Sequence, residues 1–260
     1  MSPVMTTARK PNAEQVAEAK EIADRHGLQF LPRGNRSLDS LIIEYGSVLV
    51  FSYRGLSCYT NKGELFFHPN MAAVRIRMLR KGGKDKLLNI CGLAPGDSFL
   101  DCTAGLCSDS LVAKYQVGER GRVLALEQSL PIYLVMAHGL QNARPPRFQE
   151  LAKGIELVCR DFRDILPQLP PSSFDVVYFD PMFAVPVMEA SSLIPLRPLA
   201  QDQPLTPEDI HLAARVAKKK VVLKERVFYD FSQLGLTRAG GDGRKTAYGV
   251  LSLKEDEVED

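Results

Sequence analysis

Residues 98–109 read SFLDCTAGLCSD, and this stretch decides the fold. Ser98 to Cys102 predicts a short strand carrying an acid, Asp101, at its end. Thr103, Ala104 and Gly105 follow as a turn without bulk, and Asp109 to Tyr115 continues as a helix. A turn without side chains lets a backbone approach a ligand closely. The first turn of the helix behind it offers N–H groups that have no intrahelical partner. Taken alone the stretch is weak: the G-x-G-x-x-G fingerprint is missing, Gly105 is the one glycine, and Asp101 reads equally well as a helix-capping acid.

Downstream the same alternation repeats. Arg122 to Glu127 (RVLALE) is a predicted strand and Pro131 to Asn142 a helix; Ile155 to Cys159 (IELVC), Phe174 to Phe179 (FDVVYF) and Lys220 to Lys224 (KVVLK) are further strands. The helix before the last of these starts at Thr206-Pro207-Glu208-Asp209, which combines a hydroxyl cap, proline at the first helical position and acids at the positive helix end. Strands alternating with helices imply an α/β fold with a parallel sheet covered on both faces. Runs such as VVYF suit strands buried on both sides. Thr246 to Leu253 is a candidate final edge strand, and the Pro-rich stretches 143–146 and 193–207 are candidate loops.

Upstream the pattern differs. Asn12 to His26 predicts a helix with Val16, Ala19, Ile22 and Ala23 on one face. Leu41 to Tyr53 reads as strand with a turn at Gly46, Glu64 to Phe67 as a short strand, and Met71 to Leu79 as a helix that Gly82-Gly83 interrupts. The expected organisation is a small α+β region over 1–92 that acts as a substrate-recognition cap, a ligand-binding domain over 93–254, and an acidic tail over 255–260.

Composition excludes several classes. With 45% hydrophobic and 25% charged residues the chain is globular, and no apolar run reaches the roughly 20 residues that span a bilayer. The N-terminus lacks the apolar stretch of a signal peptide, so a cytoplasmic location is expected and no membrane partner. Five cysteines without a C-x-x-C pair, and four scattered histidines, argue for reduced, mostly buried thiols and against a metal site. The net charge of +2 is too small to mark a nucleic-acid binder, but RIRMLRKGGKDK (75–86) concentrates Arg75, Arg77, Arg80, Lys81, Lys84 and Lys86 against one acid. Such a stretch is either a phosphate-contacting face or a solvated helix face.

Four pieces that carry chemistry fall at strand ends. The first is the 101–109 turn. The second is Glu127, 26 residues after Asp101, where an acid ending the second strand of a Rossmann unit bonds ribose hydroxyls, the alternative being a solvated strand-end acid. The third is Asp161-Phe162: the acid is placed to accept from an adenine amino group and the ring to pack on the base, the alternative being that Phe162 is core. The fourth is Asp180-Pro181-Met182-Phe183. A proline directly after a buried strand turns the chain away from the sheet and leaves Asp180 and Phe183 at the crevice where ligands bind. An exocyclic base amine is a poor nucleophile because its lone pair is delocalised. A carboxylate accepting its N–H favours an attacking nitrogen, and stacking on Phe183 contributes roughly 1–3 kcal/mol. Lys224, ending a late strand, is either a crevice residue that contacts substrate or an exposed strand end; Arg197 is similarly open.

Together DCTAGLCSD (101–109), VLALEQ (123–128), VVYFDPMF (176–183) and VVLK (221–224) resemble the small-subunit (16S) rRNA guanine-N2 methyltransferases of the DATAGLGRD / DPMFP type, over most of residues 64–253. The resemblance implies a Rossmann-like, seven-stranded class I methyltransferase sheet, S-adenosylmethionine as donor and RNA as partner. It implies cofactor contacts at Ser108, Asp109, Glu127, Gln128, Asp161, Phe162 and Asp180, joined by Asp101, Thr103 and Gly105 of the turn. Asp180, Pro181 and Phe183 are the expected catalytic motif, and Arg75, Arg77, Phe183 and Lys224 the expected substrate contacts. Three positions depart from the family: Cys107 stands where it has glycine, Ser108 where it has arginine, and Ala184 where proline follows DPMF. Two other readings stay open, a methyltransferase for a different amine and a non-catalytic RNA- or S-adenosylmethionine-binding protein. A nicotinamide dehydrogenase is disfavoured, since its glycine fingerprint is missing.

Overall fold

The computed structural model describes residues 2–143, 146–181, 197–200, 203–241 and 246–253. In chain order the elements are β1 (Val4–Thr7), α1 (Ala13–Arg25), β2 (Gln29–Phe30), α2 (Leu38–Tyr45), β3 (Ser47–Ser52), β4 (Gly55–Thr60), β5 (Gly63–Phe66), α3 (Asn70–Arg80) and α4 (Lys86–Cys91). There follow β6 (Ser98–Asp101), α5 (Ser108–Val117), β7 (Arg122–Leu126), α6 (Leu130–Gln141), α7 (Pro146–Lys153), β8 (Ile155–Val158) and α8 (Phe162–Ile165). The chain continues with β9 (Phe174–Phe179), α9 (Pro207–Val216), β10 (Ala217–Arg226), β11 (Thr237–Gly241) and β12 (Thr246–Ser252).

The described residues form two compact units. The first holds the chain up to His68 together with α6, and its sheet runs β2-β1-β3-β4-β5. α1 is closed at its start by a capping box, in which the Asn12 side chain accepts from Gln15 N and Gln15 reaches back to Asn12 N. Its Ala19 and Ala23 are buried, and the helix packs on β1, β2 and β3. α6 follows β7 in the chain, yet it packs on β4 and β5. Gly139 makes that approach possible, because a Cβ there would come within 2.1 Å of the Phe67 side chain.

Leu41 to Tyr53 is not one strand with a turn, as the sequence suggests. Leu38–Tyr45 is helical, and only Ser47–Ser52 is extended. The Ser37 side chain accepts from Ser40 N and starts α2. Leu38, Leu41, Ile42 and Tyr45, at helical spacing, pack with Val4, Val48 and Val50, while Ile43 is 81% exposed. Gly46, at φ 77°, ends the helix and turns the chain into β3.

The second unit carries the seven-stranded sheet, order β11-β12-β10-β9-β6-β7-β8. β8, β7, β6, β9 and β10 are parallel, and β12 and β11 are antiparallel. β9 is the central strand: Val176, Val177, Tyr178 and Phe179 are fully buried, as the continuous apolar run predicts. α5 packs on β6, β7 and β8, and α9 on β9 and β10. α9 has the expected capping box, with Thr206 and Asp209 exchanging bonds behind Pro207. β12 is not an edge strand, because β11 (Thr237–Gly241) pairs with its outer side. α3 and α4, within the 1–92 region of the sequence reading, pack on α5 and belong to this unit. Four of the five thiols are buried, and Cys159 is half-buried. Among the described residues no helix is long and apolar enough to cross a membrane.

Candidate functional site

Parallel strands put their carboxyl ends on one edge of the sheet, and four of them gather the sequence-predicted residues there. After β6 the chain stays tied to the sheet for two more bonds, Cys102 N to Tyr178 O and Ala104 N to Leu126 O, both 2.9 Å. The turn then takes Gly105 to φ 48° and Cys107 to φ 56°. A left-handed conformation is strained for a residue with a Cβ. The Cys107 side chain is fully buried, and packing holds it in this conformation.

Asp101, expected as a cofactor contact, is 1% exposed and accepts from Thr103 N (3.1 Å) and from the Ser110 hydroxyl, pinning the turn to the first turn of α5. Burial, with the neighbouring Asp109 and Asp180 charges, pushes its pKa up to about 7. An acid raised on folding binds more protons in the native than in the unfolded state, so its contribution weakens as pH rises from about 4 through 7. Asp101→Asn, whose oxygen can still accept from Thr103 N while its amide N–H donates to the Ser110 oxygen, should lose that slope. Urea titrations across this range would show the variant gaining on the parent as pH rises; parallel curves would refute the assignment.

Glu127 follows β7 and binds the two neighbouring strand ends together. Its N–H reaches Val158 O, its carbonyl accepts from Arg160 N, and its carboxylate accepts from Gly105 N at 3.0 Å. Gln128 follows, half-buried, and Ser108 opens α5. Asp161 caps α8 by accepting from Arg163 N at 2.9 Å. Phe162 is the core residue that the sequence left as an alternative. Its buried ring meets Phe179 edge-on at 5.2 Å, with the Arg163 guanidinium above it and Arg163 paired to Asp209. Little of the ring is left for a base to pack against.

Asp180 ends β9, with its N–H donating to Thr103 Oγ1 at 2.6 Å. Strand register brings its partner: Leu223 pairs with Phe179, so Lys224 lies beside Asp180. Lys224 Nζ sits 2.6 Å from Asp180 Oδ2 and 3.2 Å from Asp109 Oδ2. Asp109 also accepts from the Tyr178 hydroxyl at 2.8 Å and pairs with Arg75, and Arg75 clasps Asp85 with Nε and Nη2 at 2.7 and 2.9 Å. Two cations and three carboxylates thus form one chain of ion pairs from α4 to the end of β9. Burial opposes every charge in it. Lys224 and Arg75 nevertheless hold Asp109 well below the usual carboxylate range, and the acids hold both cations above theirs. Asp180 moves up instead, because burial and Asp109 outweigh Lys224.

Of the residues expected to contact substrate, Arg75 pairs with Asp85 and Asp109, and Lys224 with Asp180 and Asp109; Arg77 is exposed on the same helix as Arg75, and Arg80 lies over Tyr115. Asp85 and Tyr178 were missed. The signal for Asp85 was available: it is the one acid in the basic stretch. Pro181 is half-buried directly after β9, and Arg197 lies in a turn of the first unit. Phe183 and Ala184 lie outside the described residues.

These residues fit S-adenosylmethionine. The side of Gly105 where a Cβ would stand is open, with only Thr103 O at 3.9 Å, so a ligand can reach this backbone. An acid ends the adjacent strand, the position that suits a ribose diol.

Residues 49–228 match the family model described as "Putative SAM-dependent methyltransferase". The chain is 35% identical over 256 residues to "Uncharacterized protein YpiP" of Bacillus subtilis (strain 168), covering 95% of this chain and 98% of that one. It is 30% identical over 223 residues to "Ribosomal RNA small subunit methyltransferase J" of Coxiella burnetii (strain Dugway 5J108-111), covering 81% of this chain and 82% of the relative. Among solved structures, a SAM-dependent methyltransferase from Neisseria gonorrhoeae superimposes with a TM-score of 0.63 at 20% identity over the full length of both chains, a likeness of fold.

Proposed function

The chain belongs to the family of S-adenosylmethionine-dependent methyltransferases, and on that premise we propose that it methylates the N2 exocyclic amine of a guanine in small-subunit rRNA. The observation that carries the proposal is Asp180, at the carboxyl end of the central strand and followed by Pro181-Met182-Phe183. The relative named as a small-subunit rRNA methyltransferase supports RNA as the acceptor.

S-adenosylmethionine, when bound, supplies an electrophilic methyl group on a sulfonium. Glu127 and Gln128 would hold its ribose end, the Gly105 turn and Ser108 would meet it through their backbone, and Asp161 would receive the adenine amine. Lys224 fixes Asp180 through Oδ2, and Thr103 fixes the backbone of the same residue. The second oxygen, Oδ1, accepts an N–H of the substrate amine and keeps the nitrogen lone pair directed away from the ring. Methylation forms one C–N bond, breaks one C–S bond and releases one proton from nitrogen. Asp180, raised above an ordinary carboxylate, is the group placed to take that proton. Phe183 supplies the stacking face.

Methyl transfer from labelled S-adenosylmethionine to RNA from cells lacking this protein tests the proposal. N2-methylguanosine in the digested nucleosides is the expected product. Label on another nucleoside, or none in RNA, would overturn it. Separately, Glu127→Ala should weaken S-adenosylmethionine binding about 10–100-fold in calorimetry, through the loss of charge-assisted bonds to a ribose diol. Unchanged affinity would remove Glu127 from the cofactor site.

A further inference from the structure

The first unit carries its own concentration of positive charge, contributed by residues other than the basic stretch 75–86. A cleft of about 290 Å³ opens on the β3–β4 face and is lined by Arg9, Arg33, Arg54, Tyr53 and Tyr59, among others, with no acid in the lining. Arg33 is 7% exposed, yet among the described residues it has no carboxylate partner. Its Nε donates to Arg36 O at 2.8 Å, and Nη1 and Nη2 make no hydrogen bond among the described residues. A buried arginine normally meets an acid, since unpaired buried charge is unfavourable. Here the neighbouring charge is Arg9, an exposed second guanidinium; burial and Arg9 together lower the pKa of Arg33. Arg54 is neutralised by Glu64 at 3.2 Å, and the Tyr59 hydroxyl donates to the same carboxylate. Among the described residues no carboxylate pairs with the other two arginines of the cleft, Arg33 and Arg9.

We propose that this cleft binds a backbone phosphate of single-stranded RNA, with the Arg33 guanidinium as its fork and Arg9 as a second donor. Arginine presents paired N–H groups that match two phosphate oxygens. Tyr53, at the tip of the β3–β4 hairpin, is 86% exposed and offers a ring face to an adjacent base. The inference rests on the RNA reading given above and assigns to the first unit a phosphate subsite for that substrate.

The test uses the full-length chain, a fluorescently labelled single-stranded oligoribonucleotide, and fluorescence anisotropy over a range of salt concentrations. Arg33→Gln and Arg9→Ala should each weaken binding about tenfold and lower the slope of log affinity against log salt, and the two together should lower it by about 0.7, one phosphate contact on a single strand. S-adenosylmethionine affinity, read by calorimetry, should stay unchanged. If Arg33→Gln fails to fold, Arg9→Ala decides alone, since Arg9 is exposed. RNA affinity and salt slope unchanged in the folded variants overturn the proposal. So does loss of inorganic phosphate binding with RNA binding intact, which marks a site for a free anion. Binding is read without turnover, so a methyl group delivered to another acceptor would sink the proposed function and leave this result standing.

Discussion

Asp180→Ala is expected to lower kcat for methyl transfer by about 10²–10⁴-fold, the range for a lost acid–base group positioned on a reacting atom. The variant should fold, because Lys224 keeps Asp109 as a partner at 3.2 Å and Thr103 continues to receive the N–H of residue 180. Binding of S-adenosylmethionine should change less than tenfold, since Glu127 and the Gly105 turn are untouched. Asp180→Asn separates two parts of the role. It retains an oxygen that can accept the amine N–H but cannot take a proton, so it should keep more activity than alanine and lose any acid limb in the pH profile of kcat. Kinetics under saturating RNA and cofactor, with calorimetry beside them, check both. Activity within threefold of the parent in the alanine variant would mean that Asp180 does not touch the reacting amine.

The second unit was legible because its local signals agree. β6, β7 and β9 are apolar runs buried on both sides, and α9 has a complete cap written in its first residues. The first unit was less legible. β1 and β2 are four and two residues long; β1 pairs with β3, more than forty positions later, and β2 pairs with β1 from more than twenty positions away, so no local pattern announces them. α2 was lost to its isoleucines, whose β-branching favours strand when the serine cap before them is overlooked.

The candidate site shows the same division. That Asp101, Glu127, Asp161 and Asp180 end or follow parallel strands could be read from the pattern. Which way each carboxylate turns could not, because a residue beside a strand end has both the crevice and the flanking helix within reach. Asp101 went to Ser110, and Asp180 to Lys224. The pairing of Lys224 with Asp180 depends on the register between β10 and β9, and the inward turn of Arg75 depends on where α3 packs on α5. Both are tertiary facts, decided by neighbours far away in sequence.

Asp109 is the hub of that tertiary network, and its removal should be the most destabilising single change at the site. Asp109→Ala deprives Arg75 and Lys224 of a shared counter-charge and leaves the buried Tyr178 hydroxyl without its acceptor. Breaking a buried pair from one side typically destabilises by about 3–5 kcal/mol. Asp85 and Asp180 still hold the two cations, which puts the expected loss near the lower end, about 3 kcal/mol, or roughly 6–12 °C in Tm for a chain of this size. The pH dependence identifies the cause. The carboxyl pKa of Asp109 is depressed on folding, so its contribution is complete above the unfolded value near 4 and is lost as pH falls through the folded one. The gap between parent and variant should therefore be constant from neutral pH to about 5 and close below 4. Asp109→Asn, which fills the same space without the charge, should lose most of what alanine loses. Denaturant titrations at neutral and acid pH measure all three proteins. A gap below 1 kcal/mol at pH 7, or one that does not shrink in acid, would show that packing around α5 stabilises this edge of the sheet and the ion pairs do not.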